Sequence, residues 1–177
     1  MSVPVSSASE LWDATIDAGR SVGAGPMGIE AMSILRAEKG YIMVGKDTDG
    51  ETMPHDLGFA TPRTRKTTAF VGDRSLHTDK GNDLDRKVLV GLTVPDGEVP
   101  LATGAHVVTQ SSPRRSLGYV TSSYASPFLG KPIALGLVEG GADLIGNDVT
   151  VWHEETLRQA TITSPCFFDP EGERLNA

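Results

Sequence analysis

Six short apolar runs between residues 88 and 162 constrain the fold of this chain more than any other feature. They lie at residues 88–92, 105–108, 117–120, 133–138, 149–152 and 160–162, and glycine, proline, aspartate and asparagine separate them. Runs of this length are typical of β-strands, and strands at this spacing predict a small all-β sandwich or barrel. The second half of the chain is therefore expected to be a β domain.

The first seventy residues predict mixed α and β structure instead. Apolar side chains recur at helical intervals over residues 11–18, after a capping-box spacing at Ser7 and Glu10. A second helix is expected from about residue 28 to residue 38, with Gly40 just beyond its end. Residues 41–44 are expected to form a short strand.

The polar stretch at residues 78–83 contains glycine and marks the change from predicted mixed α and β structure to predicted β-strands. It gives a predicted α+β region over residues 1–80 and a predicted β-barrel over residues 81–177. Neither part contains an internal repeat.

Composition and charge exclude several classes of function. The 177 residues carry 16 Lys and Arg against 23 Asp and Glu, for a net charge of −7, which argues against general nucleic-acid binding. No window approaches the roughly 18 apolar residues of a membrane span, and the N-terminus lacks a secretory signal. With Cys166 as the single cysteine, the expectation is a cytoplasmic protein without nucleic-acid or membrane partners.

The motifs that usually carry catalysis or metal binding are weak here. The G-x-G-x-x-G pattern at residues 23–28 follows a predicted helix rather than a strand, so a flexible connection is favoured over a dinucleotide site. The acidic residues 47–51 lack the spacing of a calcium loop and are expected to form a solvated turn. The four histidines share no ligand spacing, and Cys166 is expected to be a packing residue. No metal site is predicted, and no catalytic residue is assigned.

Glu38 leaves two interpretations open from its position alone. It ends an apolar helix face, so it is either an exposed helix-end carboxylate or one that faces a crevice between elements.

Ordered blocks over nearly the whole chain resemble one known family. Residues 25–42 (GPMGIEAMSILRAEKGYI), 118–124 (GYVTSSY), 130–138 (GKPIALGLV) and 168–174 (FDPEGER) are similar to the C-terminal region of heterotetrameric sarcosine oxidase alpha subunits. That region is homologous to the glycine cleavage T-protein, an aminomethyltransferase. The resemblance implies an α+β fold: a partial aminomethyltransferase-like α/β lobe over residues 1–80, followed by a small C-terminal antiparallel β-barrel.

The resemblance also implies a tetrahydrofolate site. In the family, folate accepts the one-carbon unit of an oxidised N-methyl amine and becomes 5,10-methylenetetrahydrofolate. Glu38 matches the carboxylate that binds the pterin, which suits this role because an ionised carboxylate accepts two parallel donors. Arg65 and Lys66 match a basic run that contacts folate. Tyr124 and Arg174 are further candidates.

The resemblance covers only part of the family's unit. The first lobe of the folate-binding region has no counterpart here, and flavins and NAD are expected only on other domains or subunits. The expected partners are those subunits or the missing N-terminal part of a sarcosine oxidase-type complex. On this interpretation the chain is one part of an oxidoreductase, as a fragment or a split subunit, and is inactive when isolated. The alternative is a non-catalytic folate-binding or assembly module.

Overall fold

The structure, a computed structural model, describes residues 2–59, 68–83, 85–95 and 98–174. The chain divides into two compact units, Met1–Ser33 and Ile34–Ala177. The boundary predicted from composition, near residue 80, remains a prediction.

The first unit is helical. Helix α1 spans Ala8–Gly19, between the 3-10 turns Val5–Ser7 and Arg20–Val22, and helix α2 (Ile29–Glu38) begins before the unit ends. Both helices were predicted within a residue of these bounds. The capping box at Ser7 does not form, because the Ser7 side chain makes no cap hydrogen bond. Instead the Ser7 N–H closes the preceding turn by donating to the Pro4 carbonyl at 2.9 Å.

The second unit is built on a closed antiparallel barrel. Its six strands follow the order β1-β4-β3-β2-β5-β6 around the barrel. They are β1 (Lys87–Thr93), β2 (His106–Val108), β3 (Ser116–Ser126), β4 (Lys131–Glu139), β5 (Asp148–His153) and β6 (Thr156–Thr163). Each strand contains one of the apolar runs or most of it, so the predicted β-barrel is confirmed.

Strand alternation gives the barrel an inner and an outer apolar layer. The inner core contains fully buried residues from every strand: Leu92, Val107, Val120, Val138, Val151 and Ile162. Alternate residues on β1 and β4 point outwards and form a second cluster with Ala37, Ile42, Leu57 and Phe167. The outer face of β4 is therefore covered by the segment that follows α2, and this contact places the end of α2 against the barrel.

The predicted strand at residues 41–44 is absent. The Met43 carbonyl accepts from the N–H groups of Lys46 and Asp47, and the Met43 N–H donates to the Asp47 carboxylate at 2.9 Å. These turn bonds occupy the backbone groups that a neighbouring strand would need, so the β-branched residues have no ladder to join. Among the described residues of this connecting region, three 3-10 turns follow: Pro54–Leu57, Asp73–His77 and Lys80–Asn82.

No helix in the described part of the chain combines the length and apolar character needed to cross a membrane.

Candidate functional site

Three side chains on the outer face of β3 meet polar groups from the segment that follows α2. Ser122, Tyr124 and Ser126 lie at alternate positions of the strand, and we call them the β3 polar row. Ser122 contacts Arg36 and Asp47, Tyr124 contacts Lys46, and Ser126 contacts Glu38. Residues 36–47 are thus held to the barrel by a series of polar contacts as well as by the outer apolar layer.

Glu38 is buried at the end of α2, with 3% of its surface exposed. The Ser126 hydroxyl donates to its Oε1 at 2.5 Å. The Glu38 main-chain carbonyl accepts from the N–H groups of Phe167 and Phe168 at 2.9 and 3.0 Å, which satisfies an acceptor that the helix end leaves open. An exposed helix-end carboxylate, the plainer of the two sequence interpretations, is wrong. The carboxylate faces the barrel because the C-terminal segment and β3 hold it on two sides.

Gly40 allows this arrangement. Its φ of +73° lies in the left-handed region that glycine enters without steric cost. A Cβ atom at this position would lie 2.5 Å from the Pro165 carbonyl oxygen. The second residue after the helix must therefore be glycine for residues 165–168 to approach Glu38.

Tyr124 lies beside two cationic side chains. The Lys46 ammonium donates to its phenolic oxygen at 2.8 Å and lies 5.2 Å from the ring centroid, and the Arg36 guanidinium carbon lies 5.9 Å from that centroid. Burial raises the pKa of the Tyr124 phenol, but the hydrogen bonds and charges of Lys46 and Arg36 outweigh it and bring the pKa below its ordinary value. Two cationic groups therefore lie beside this member of the β3 polar row, and one of them, Arg36, is paired with Asp47.

Arg174 covers a pair of aromatic rings next to the backbone of Glu38. Its guanidinium carbon lies 5.3 Å from the ring centroid of Phe168 and 5.9 Å from that of Phe128. The two rings pack edge to face at 4.3 Å. Because the Phe168 N–H also donates to Glu38, the C-terminal segment connects these two predicted site residues.

Asp47 is the buried residue that sequence reasoning missed. The prediction of a solvated turn is wrong at this position, because none of the Asp47 surface is exposed. Its carboxylate accepts from the Met43 N–H at 2.9 Å, from Ser122 at 2.7 Å, and from the Thr121 hydroxyl and the Arg36 guanidinium.

A break in the regular register of β3 explains how two adjacent residues contact one carboxylate. The pairing with β4 shifts between Val120 and Ser122, so Thr121 is an extra residue in the strand. Both the Thr121 and the Ser122 hydroxyls therefore reach Asp47. Arg36 completes the cluster by donating to Ser122 at 2.5 Å, and its Nε is buried without a partner among the described residues. No sequence pattern indicates the contacts of Asp47 with Thr121 and Ser122, which are 74 and 75 positions away in the chain.

Two of the predicted site residues, Arg65 and Lys66, lie outside the described residues. Across the described ranges, no group of three or more His, Cys, Asp and Glu side chains could hold a metal ion. A cavity of about 220 Å³ between the connecting region and β4 is lined mainly by charged side chains, which include Asp49, Lys80 and Glu139.

Comparison with known proteins places these features in one family. The sequence matches the model of the glycine cleavage T-protein C-terminal barrel domain over residues 87–169 and that of the GCVT N-terminal domain over residues 1–62. It is 35% identical to the sarcosine oxidase subunit alpha of Rhizobium meliloti (strain 1021), covering 99% of this chain and 18% of that protein. It is 30% identical to the aminomethyltransferase of Thermoanaerobacter pseudethanolicus, covering 94% of this chain and 44% of that protein.

A solved structure agrees with the fold. The glycine cleavage system aminomethyltransferase T from Bartonella henselae superposes with a TM-score of 0.74 at 24% identity, over 95% of this chain and 45% of that chain. The chain therefore spans less than half the length of these relatives. Since the two matched models are the N-terminal and barrel domains of a single family, the chain belongs to the glycine cleavage T-protein family, and it is similar along almost its whole length to a sarcosine oxidase alpha subunit.

Proposed function

We propose that this chain is the folate-handling part of a sarcosine oxidase alpha-type protein. In this proposal it binds tetrahydrofolate, which accepts the one-carbon unit of an oxidised N-methyl amine and becomes 5,10-methylenetetrahydrofolate. The observation that carries the proposal is the buried Glu38 carboxylate, held by Ser126 within the part of the chain that matches the T-protein N-terminal domain model.

The chemistry of a carboxylate fits one edge of the pterin ring. The 2-amino group and the adjacent ring N–H are two parallel donors, and an ionised carboxylate accepts both. A carboxylate offers about four lone-pair positions, of which Ser126 uses one on Oε1. The low exposure of Glu38 strengthens such bonds, because water does not screen them.

Neighbouring groups support binding of the rest of the ligand. Tyr124 presents an aromatic ring with the Lys46 ammonium beside it on the same outer face of β3. Arg174 adds an exposed guanidinium close to the segment that contacts Glu38. Folate carries carboxylates on its glutamyl tail, and Arg174, Arg65 and Lys66 are the proposed contacts for that anionic end.

The amine oxidation itself is assigned to other chains or domains. The second unit exposes apolar side chains in the segment beside Glu38, with Val44 82% and Tyr41 56% exposed. Exposed apolar surface of this kind favours association. We propose that the other subunits or the N-terminal part of a sarcosine oxidase-type complex cover it and supply the flavin and NAD sites.

A non-catalytic folate-binding or assembly module is the second candidate. The observation in its favour is that two charged groups near Glu38 already have carboxylate partners: Arg36 pairs with Asp47, and Lys39 pairs with Asp169 at 3.1 Å. A chain whose charges are committed to structural contacts can bind folate without contributing a general base.

Calorimetric titration with 5-formyltetrahydrofolate tests the folate site. The parent chain is compared with Glu38→Gln, which removes the charge while keeping the shape. Glu30→Gln is the matched control, because Glu30 carries the same charge on the same helix and is exposed. We expect Glu38→Gln to weaken binding by about 10- to 100-fold and Glu30→Gln to leave it unchanged, since a charged hydrogen bond contributes about 1.5–3 kcal/mol.

Two results would contradict the proposal. Absence of binding by the parent would show that this chain does not handle folate. Equal binding by the parent and Glu38→Gln would show that folate binds elsewhere.

A further inference from the structure

Lys46 is a half-buried cation whose partner in the structure is a phenol. Among the described residues, no Asp or Glu forms an ion pair with it, whereas Lys39 and Lys80 each contact a carboxylate. Its ammonium donates to Tyr124 at 2.8 Å. An ammonium has three donors, so two remain for water or a ligand.

The position of Lys46 relative to Glu38 follows from the β3 polar row. Tyr124, which holds Lys46, and Ser126, which holds Glu38, are two residues apart on the same face of the strand. Two residues of an antiparallel strand span about 7 Å. The acceptor of Glu38 and the cationic donor of Lys46 are therefore held by neighbouring outward-facing residues of one strand.

A pterin ring has the complementary arrangement along one edge. The 2-amino group and the ring N–H are donors, and the 4-carbonyl oxygen next to them is an acceptor. A pterin that accepts from Lys46 and donates to Glu38 would bridge the two charged groups that Tyr124 and Ser126 hold.

We propose that Lys46 donates to the 4-carbonyl oxygen of a pterin whose donor edge is bound by Glu38. The inference rests on the proposed function and extends it. Glu38 recognises the donors, and Lys46 makes the site selective for 4-oxo over 4-amino pteridines. A 4-amino group is a donor, and it leaves the ammonium facing another donor without an acceptor, which is the kind of mismatch that a polar site rejects strongly.

Folic acid and aminopterin test this selectivity: aminopterin has a 4-amino group in place of the 4-carbonyl oxygen and lacks the ring N–H beside it, so the contact with Lys46 and one contact with Glu38 both change. Each ligand is titrated into the parent, Lys46→Met and the control Lys80→Met, which removes a positive charge from an exposed pair with Glu51. We expect the parent to prefer folic acid by roughly 100-fold or more, the combined effect of two charged hydrogen bonds. Lys46→Met is expected to reduce this preference by roughly 10- to 100-fold, the effect of one charged hydrogen bond, and to keep the part that Glu38 contributes, whereas Lys80→Met is expected to keep the whole preference.

A second variant distinguishes the loss of the cationic donor from a folding defect. Lys46→Arg keeps a cationic donor and is expected to retain the preference for folic acid, and urea unfolding of each variant shows that it is folded.

The outcomes separate the inference from the proposed function. If Lys46→Met weakens both ligands by the same factor, or changes neither, the inference is overturned while folate binding through Glu38 stands. If the parent binds neither ligand, the proposed function fails and the inference fails with it.

Discussion

Replacing Asp47 by alanine removes the acceptor on which four donors converge. In the folded protein the Asp47 carboxylate is fully buried and accepts from Met43, Thr121, Ser122 and Arg36. The substitution leaves the Arg36 guanidinium without its counter-ion, although 90% of that side chain is buried (10% exposed). It also leaves two hydroxyls and one N–H without their acceptor.

The expected loss of stability is large for a single substitution. Removing one partner of a buried ion pair costs about 3–5 kcal/mol, because the remaining charge stays buried and uncompensated. Typical free energies of unfolding are about 5–15 kcal/mol, so the loss takes away a substantial fraction of the total. Replacing both partners, as in Arg36→Met with Asp47→Leu, is expected to recover most of it, since no charge is then left unpaired.

Urea unfolding measures the effect. With a slope of about 1–3 kcal/mol per molar urea, a loss of 3 kcal/mol lowers the midpoint by roughly 1–3 M. Asp143→Ala is the control, since Asp143 is an exposed aspartate in the turn after β4, and surface changes of this kind stay within about 0.5 kcal/mol. If Asp47→Ala costs less than about 1 kcal/mol, or if the double variant is less stable than Asp47→Ala, the reasoning is refuted.

Three further predictions follow from the same geometry. Gly40→Ala is expected to lower the free energy of unfolding by clearly more than the roughly 1–2 kcal/mol of left-handed strain, because its Cβ would meet the Pro165 carbonyl. Gly45 also has a positive φ but open space around it, so Gly45→Ala should lose the strain energy alone. Equal urea midpoints for the two variants would argue against the close approach at Gly40. Lys46→Met is expected to raise the Tyr124 pKa, because a cation that favours the phenolate is lost. The pH midpoint of tyrosinate absorbance should therefore move upwards, and a lower or unchanged midpoint would contradict this. The pure chain without flavin is expected to release no peroxide from sarcosine, and peroxide above the protein-free blank would overturn the assignment of oxidation to other chains or domains.

Local pattern in the sequence was enough to predict the elements. Each barrel strand contains an apolar run bounded by turn residues, and the two helices follow 3.6-residue spacing with glycine beyond their ends. These signals are read over neighbouring residues, so they are present before any tertiary contact forms. The error at residues 41–44 has the same origin, because apolar β-branched residues predict a strand wherever no local feature opposes it.

The candidate site was predictable only in part. Glu38 and Tyr124 could be named from the resemblance to a known family, and the structure places Glu38 against Ser126, the neighbour of Tyr124 on the β3 polar row. The partner of Glu38, Ser126, is 88 positions away in the chain, and nothing near either residue indicates the contact.

The sequence by itself determined the strands, the helices and the carboxylate at the end of α2, because side-chain periodicity and turn residues act locally. The tertiary structure decided that Asp47 is buried rather than solvated and that Lys46 lies beside Tyr124. The physical reason is the register of β3: one extra residue at Thr121 sets which hydroxyls face outwards, and only the packed barrel fixes which distant side chains they meet.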